Sequence, residues 1–306
     1  MENLVPICLI TDKNYVIPTC VLLESMIYNK KSQSLYEVNI LADDIEDKHI
    51  EILEQYNKEN FIVKVFKLKN RYKNLKNKNS YVTNSAFLKF DIPIILKEYN
   101  KILYLDSDTI VNNDLSELYN IQLNNTYAGV ILDIGDLFYK SSQILTLEKY
   151  FNSGVILFNA EKYRQENLAT KLLEIYKNNN ESFICHDQDT FNIGFNENIT
   201  VLPPKYNFQQ SINEYPLKSV LKYYQIEKNS LDKNNIQIFH YTRMKPWLYK
   251  YAYYQKEWTK YYEMTIFKNI PLKLKLGLFL KYYFILRNYF NLKKINKILK
   301  ILKENF

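Results

Sequence analysis

Residues 101–112 read KILYLDSDTIVN. The apolar run Ile102-Leu103-Tyr104-Leu105 is short and bounded by polar residues, which predicts a buried strand. It ends on Asp106 and Asp108. A carboxylate taken out of water without a partner costs several kcal/mol. Either water reaches these two groups or positive charge sits on them. In extended chain, side chains at i and i+2 lie on one side, so both are expected to point the same way at the carboxyl end of the strand. Two hard carboxylate oxygens there suit Mg²⁺ or Mn²⁺, with phosphate oxygens completing the shell.

Outward from this strand the pattern alternates. LVPICLIT, YEVNILAD and FIVKVFKL are apolar strand-like runs on the N-terminal side, and YAGVILDI, FNSGVILFNA and IQIFHY follow on the C-terminal side. Between them lie helical stretches: one with Pro18 near its first turn, the amphipathic IEDKHIEILEQYNKEN, NSAFLKFDIPIILKEY broken at Pro93, AEKYRQENLATKLLEIYKN as one helix, and a short helix over HDQDTFNIGF. Apolar strands alternating with helices predict an α/β fold with a mainly parallel central sheet. Ligands of such sheets gather at the carboxyl ends of the strands.

Composition narrows the function. Only five glycines occur in 306 residues, and neither GxGxxG nor GxxxxGK[ST] is present, which argues against a Gly-rich dinucleotide site or a P-loop. The three cysteines, Cys8, Cys20 and Cys185, are odd in number and lack CxxC spacing, so a reduced compartment fits and a thiolate zinc site does not. The N-terminus has no basic segment ahead of a long apolar one, which predicts a protein that stays in the cytoplasm. Net charge is +8, but residues 266–306 hold nine Lys and one Arg against Glu304, or about +9. Of the 41 basic and 33 acidic residues, 31 and 32 remain in residues 1–265, which are nearly neutral. The high pI therefore does not indicate a nucleic-acid partner. This break in charge predicts a body at 1–265, the part expected to carry the site, and a basic, aromatic, helical segment at 266–306. In that tail Ile295, Ile298, Leu299 and Leu302 fall at i, i+3, i+4 and i+7, with lysines mostly opposite. No stretch there is long and uncharged enough to span a bilayer. An amphipathic helix of this kind suits the plane of an anionic membrane; docking on the body is the competing reading.

His240 ends the IQIFH run and opens HYTRMKPW. Two carboxylates and one imidazole at strand ends make a candidate metal site, and the nitrogen donor favours Mn²⁺ over Mg²⁺. Lys245 then stands where it can hold a diphosphate as a point charge. A second Asp-x-Asp, Asp187-Gln188-Asp189, opens the HDQD helix, where a cap is the structural reading.

LITDKNY, ILYLDSDTIV, FNSGVILFN, HDQD and HYTRMKPW occur in the order found in family 8 glycosyltransferases, and residues 4–250 resemble that family. It includes bacterial lipopolysaccharide and lipooligosaccharide galactosyl- and glucosyltransferases. The resemblance implies a Rossmann-like nucleotide-diphospho-sugar transferase (GT-A) fold and retaining transfer of galactose or glucose from a UDP-sugar. It implies that Asp106, Asp108 and His240 bind Mn²⁺, and that Thr11, Asp12 and Asn14 hold the nucleoside. Lys245 matches the diphosphate lysine. Asp133, Asn152, Asp187 and Gln188 match positions around the donor sugar. Gln188, an amide, is expected to stabilise an oxocarbenium-like centre, with Asp187 as nucleophile the competing mechanism. Two departures stand out: Phe87 replaces an arginine that touches the donor sugar, with Lys89 close by as the donor-binding candidate, and HYTRMKPW is one residue shorter than the family's HxxGxxKPW and lacks its glycine. With the tail, the expectation is an enzyme peripheral on the inner face of the cytoplasmic membrane, acting on a lipid-linked glycan.

Three other functions compete with this reading. A DxDxT phosphohydrolase fails because Ile110 stands where Thr is required. A nucleotidylyltransferase needs a Gly-rich loop that TDKNYVIP lacks. A non-catalytic, membrane-attached UDP-sugar binder is separated from an enzyme by turnover.

Overall fold

The apolar run LVPICLIT forms β1 (Leu4–Thr11), buried along almost its whole length. The computed structural model describes residues 4–68, 71–72, 75, 84–196, 198–250 and 252–276. β1 can be apolar on both faces because both are covered. Val5, Ile7 and Leu9 face one core with Leu22 and Met26, while Cys8 and Ile10 face another with Phe87 and Phe90. The helix Val16–Asn29 follows, with Pro18 in its first turn. β2 (Leu35–Asp43), β3 (Phe61–Leu68) and β4 (Lys101–Leu105) complete a parallel group.

After β4 come β5 (Thr109–Val111), β6 (Ala128–Leu132), β7 (Phe151–Asn159) and β8 (Ile199–Val201). The seven-stranded sheet runs β3-β2-β1-β4-β7-β6-β8. The expected mainly parallel sheet is present, with β7 inserted antiparallel to both β4 and β6. A second sheet joins β9 (Phe208–Gln209) and β10 (Ile238–His240) to β5 in the order β5-β10-β9. A short pair, β11 (Tyr249–Lys250) with β12 (Lys275–Leu276), closes the described chain.

Two segments differ from the sequence reading. NSAFLKFDIPIILKEY is a 3-10 helix over Asn84–Asp91 followed by a one-turn helix Ile92–Ile95. Pro93 opens that helix rather than breaking one, since a first-turn residue needs no N–H partner. AEKYRQENLATKLLEIYKN divides into helices Ala160–Gln165 and Leu168–Asn179. Asn167 between them is left-handed at φ 51°, a conformation that Asn tolerates better than most residues.

Of the basic tail, residues 277–306 lie outside the described residues, and with them the amphipathic pattern of Ile295 to Leu302. Phe267 and Leu272 pack on the core cluster built around Trp258 and Tyr261. Among the described residues no helix is long and apolar enough to cross a membrane.

Candidate active site

The strand before the aspartates stops one residue short of them. β4 ends at Leu105, and the Asp106 N–H donates to the Gly154 carbonyl at 2.7 Å. The Thr109 N–H and hydroxyl both close back on the Asp106 carbonyl, at 3.1 and 2.8 Å. Ser107 Oγ ties the turn to the Ile10 carbonyl at 2.6 Å. Asp106 and Asp108 thus come together across a tight turn, not by the strand alternation expected from sequence. The polar Asp-Ser-Asp triplet satisfies its own backbone more readily in a turn than in the ladder.

The second sheet supplies the third donor. β10 runs antiparallel to β5 with His240 opposite Thr109. His240 Nε2 lies 3.2 Å from Asp108 Oδ1 and 3.7 Å from Asp106 Oδ2. One donor atom from each of the three residues falls within 4.8 Å of the others. Gly154 of β7 backs this cradle. A Cβ on Gly154 would sit 2.2 Å from His240 Cε1 and 2.8 Å from Asp106 Oδ2. Two carboxylates and an imidazole around a hollow kept open by glycine fit a hard divalent cation.

Positive charge also meets the carboxylates directly. Lys89, buried, places Nζ 3.1 Å from Asp106 Oδ1 and 2.8 Å from Asp187 Oδ2. Burial alone would lower the pKa of the Lys89 ammonium, but Asp106 and Asp187 outweigh it and hold it above the usual lysine value. Lys245 Nζ pairs with Asp108 and reaches the Tyr241 carbonyl at 2.5 Å. Burial pushes the Asp108 carboxyl up, yet Lys245 and His240 together hold it well below the usual carboxylate range. Phe87, which stands at the family's arginine position, points away into an aromatic cluster with Tyr72, Phe90 and Tyr176. Lys89 lines the cleft instead, as do Arg243 and Lys245.

The HDQD helix spans His186–Phe195. Asp189 does the capping: its Oδ2 accepts from the Ile184 and Cys185 N–H groups, both at 2.7 Å, and its Oδ1 accepts from the Tyr150 hydroxyl. Asp187 and Gln188 are left to face the cleft. Asn192 pins the helix to β7, exchanging hydrogen bonds with the backbone of Phe151 at 2.8 and 2.9 Å. Asp187 Oδ2 also accepts from Ser153 Oγ at 3.0 Å. Gln188 Oε1 accepts from Asn152 Nδ2 and the Ser153 N–H, both at 3.1 Å, and its Nε2 donates to Asp133 Oδ2 at 2.6 Å. His186 packs edge-on against Tyr176.

Nearly all the sequence-predicted residues line one cleft of about 520 Å³. Thr11 and Asp12 line it together with Tyr15, which lies edge-on to Trp247 at 5.8 Å. Asn14 is exposed outside the lining and touches the site through its N–H, which donates to Asp12 Oδ1 at 2.8 Å. Sequence reasoning missed Ser107, Ser153, Tyr150 and the buried Asn207. Ser107 and Ser153 lie inside the motifs ILYLDSDTIV and FNSGVILFN and Tyr150 just before the second; Asn207 carries no local signal.

The sequence matches the model of glycosyl transferase family 8 over residues 6–251. It is 27% identical over 271 residues to a lipopolysaccharide 1,2-glucosyltransferase of Escherichia coli, covering 85% of this chain and 75% of that protein. Glycosyltransferase GlyF of Streptococcus pneumoniae serotype 4 (strain ATCC BAA-334 / TIGR4) is 27% identical over 244 residues, 79% of this chain and 56% of its own. The chain thus spans three quarters of one relative and little more than half of the other. Among solved structures, the galactosyltransferase LgtC in complex with donor and acceptor sugar analogues aligns with a TM-score of 0.74 at 18% identity, over 87% of this chain and 98% of that one. The apo bifunctional glycosyltransferase WbbM aligns at 0.72 and 20% identity, over 88% of this chain and 51% of that one. At such identities the likeness is one of fold, the GT-A type of the sequence expectation. The match over residues 6–251 covers most of the chain, including every residue of the cleft discussed above: the chain belongs to glycosyl transferase family 8 and is a glycosyltransferase.

Proposed function

We propose that the chain transfers galactose or glucose from a UDP-sugar to a glycan with retention of anomeric configuration. One observation carries the reading: the Asp106, Asp108 and His240 cradle opens into the same cleft as Lys245, Asp187, Gln188 and Asp133. Asp106, Asp108 and His240 would hold a divalent ion, Mn²⁺ rather than Mg²⁺ because one donor is nitrogen. When bound, that ion supplies Lewis-acid stabilisation of a diphosphate leaving group.

The chain's own residues divide the remaining work. Thr11, Asp12 and Asn14 receive the nucleoside. Lys245 offers the diphosphate a point charge within reach of Asp108. Asp133 and Asp187 orient the sugar hydroxyls, Lys89 holding Asp187 and Asn152 holding Gln188 from the donor side. A covalent double displacement needs a free carboxylate against the sugar. Gln188 is an amide, and Asp187 is engaged by the Lys89 ammonium at 2.8 Å and by Ser153. Both features disfavour a covalent intermediate. We therefore favour attack on the face the diphosphate leaves, through a short-lived oxocarbenium-like centre beside Gln188, the acceptor proton passing to a departing phosphate oxygen. The lipopolysaccharide glucosyltransferase relative and the basic, aromatic tail support a lipid-linked glycan as acceptor and peripheral attachment to an anionic membrane, on the cytoplasmic side.

The test is proton NMR of UDP-α-galactose and UDP-α-glucose turning over with Mn²⁺. Early appearance of the α-anomer, as free sugar or glycoside, is expected from one of them. Early β-anomer, or no consumption of either sugar with any glycan acceptor, contradicts the reading.

A further inference from the structure

His240 and Asp133 sit at opposite ends of one hydrogen-bonded chain that runs through Asn207, Asn152 and Gln188. Asn207 follows the short 3-10 helix Pro204–Tyr206 and is fully buried. Its Oδ1 lies 2.9 Å from His240 Nδ1, and its Nδ2 lies 2.9 Å from Asn152 Oδ1. Beyond Asn152 the chain continues through Gln188 to Asp133.

The polarity of this chain follows from two backbone groups that can only donate. The Gly154 N–H points at Asn152 Oδ1 at 3.0 Å, which fixes that atom as the acceptor. Asn207 must then present its NH₂ to Asn152 and its carbonyl oxygen to His240. A carbonyl oxygen can only accept, so His240 Nδ1 carries the proton, and Nε2 is the nitrogen turned to Asp106 and Asp108. At the other end, the Ser153 N–H fixes Gln188 Oε1 as acceptor and turns the Gln188 NH₂ to Asp133. Side-chain amides are ambiguous when taken singly, but here the β7 backbone settles each in turn.

We infer that Asn207 is a positioning residue, holding His240 in its metal-binding tautomer with one arm and aligning Asn152 and Gln188 with the other. This rests on the metal reading proposed above. Partners that orient a metal-ligating histidine from behind are worth about 10–100-fold in metal affinity.

The two arms separate experimentally. Asn207→Asp keeps an oxygen for His240 Nδ1 but sets a second oxygen against Asn152 Oδ1. Asn207→Ala removes both arms. Mn²⁺ affinity is read by electron paramagnetic resonance without substrate, kcat and KM by UDP release, and folding by thermal unfolding. Asn207→Ala is expected to weaken Mn²⁺ binding by about tenfold or more. Asn207→Asp is expected to bind Mn²⁺ at least as tightly as wild type while kcat falls about tenfold or more and KM changes little. The Asp variant is nearly isosteric and carries the test if the Ala variant does not fold. Wild-type affinity and kcat in the folded fraction of both variants, or equal losses of both quantities in the two, overturn the inference. A wild-type protein that binds no Mn²⁺ overturns the metal reading itself.

Discussion

Gly154→Ala is the smallest change that strikes the cradle. The added methyl would lie 2.2 Å from His240 Cε1, 2.9 Å from His240 Nδ1 and 2.8 Å from Asp106 Oδ2. Carbon atoms rest about 3.5–4.0 Å apart, so the imidazole must retreat by more than about 1 Å. It has little room, being buried and bonded through Nδ1 to Asn207. Ligand distances in metal sites tolerate only about ±0.2 Å, so two of the three donors leave their places. The backbone does not object, because no glycine among the described residues has positive φ. Overpacking costs about 1–3 kcal/mol, partly offset by about 0.4–1 kcal/mol from the stiffer unfolded chain. The expected signature is therefore lopsided: unfolding free energy lower by at most about 3 kcal/mol, but Mn²⁺ affinity down about 100-fold, or about 2.7 kcal/mol, with UDP release lost. Gly129→Ala is the control, since its methyl meets the ends of the Leu123 and Leu202 side chains at 3.0 Å and the Leu157 Cβ at an ordinary 3.5 Å. Isothermal titration with Mn²⁺ alongside thermal unfolding decides. Wild-type Mn²⁺ affinity in Gly154→Ala would refute the placement of His240 and Asp106 in one site.

Lys89→Met removes the cation between two carboxylates and should destabilise by about 3–5 kcal/mol, read as a lower urea midpoint; an unchanged midpoint contradicts the ion-pair role. Asp114 tests pH dependence away from the cleft. Burial raises its carboxyl, but hydrogen bonds from the Lys31 N–H and from Ser116 outweigh that and leave it lowered. A carboxylate lowered in the folded state stabilises above its unfolded pKa of about 3.9, and that contribution drains as pH falls through the folded value. Asp114→Asn should therefore cost about 1–3 kcal/mol at pH 7, with the gap to wild type closing in acid; a constant gap contradicts this. Deleting residues 277–306, which leaves Phe267 and Leu272 on the body, should abolish co-sedimentation with phosphatidylglycerol vesicles. Undiminished co-sedimentation would place the membrane contact elsewhere.

Much of the cleft is legible in the sequence because strand ends carry it. Asp106 and His240 each close an apolar run, and Asp108 follows in the turn just beyond, so all three are marked locally. The direction of β7 is not legible: FNSGVILFN, buried on both faces, reads alike in either orientation. The division of HDQD is also hidden, since Asp187 and Asp189 look equivalent until helix geometry turns one to the cleft and the other to the backbone of Ile184 and Cys185. Asn207 was the least visible. It stands between a three-residue 3-10 helix and the two-residue β9, where no periodicity can mark it. Lys89 is legible as a donor-site cation but its partners are not; the 3-10 setting separates it from Phe87, sending Phe87 to the core and Lys89 to the carboxylates.

The central claim is that the Asp106, Asp108 and His240 cradle serves departure of the diphosphate. The most direct measurement is UDP release from UDP-galactose and UDP-glucose by wild type and Asp108→Asn, each with Mn²⁺ and with EDTA. The account predicts slow release from one sugar by wild type with Mn²⁺, none with EDTA, and none from a folded Asp108→Asn under either condition. Release that persists in EDTA, or at the wild-type rate in Asp108→Asn, would contradict it.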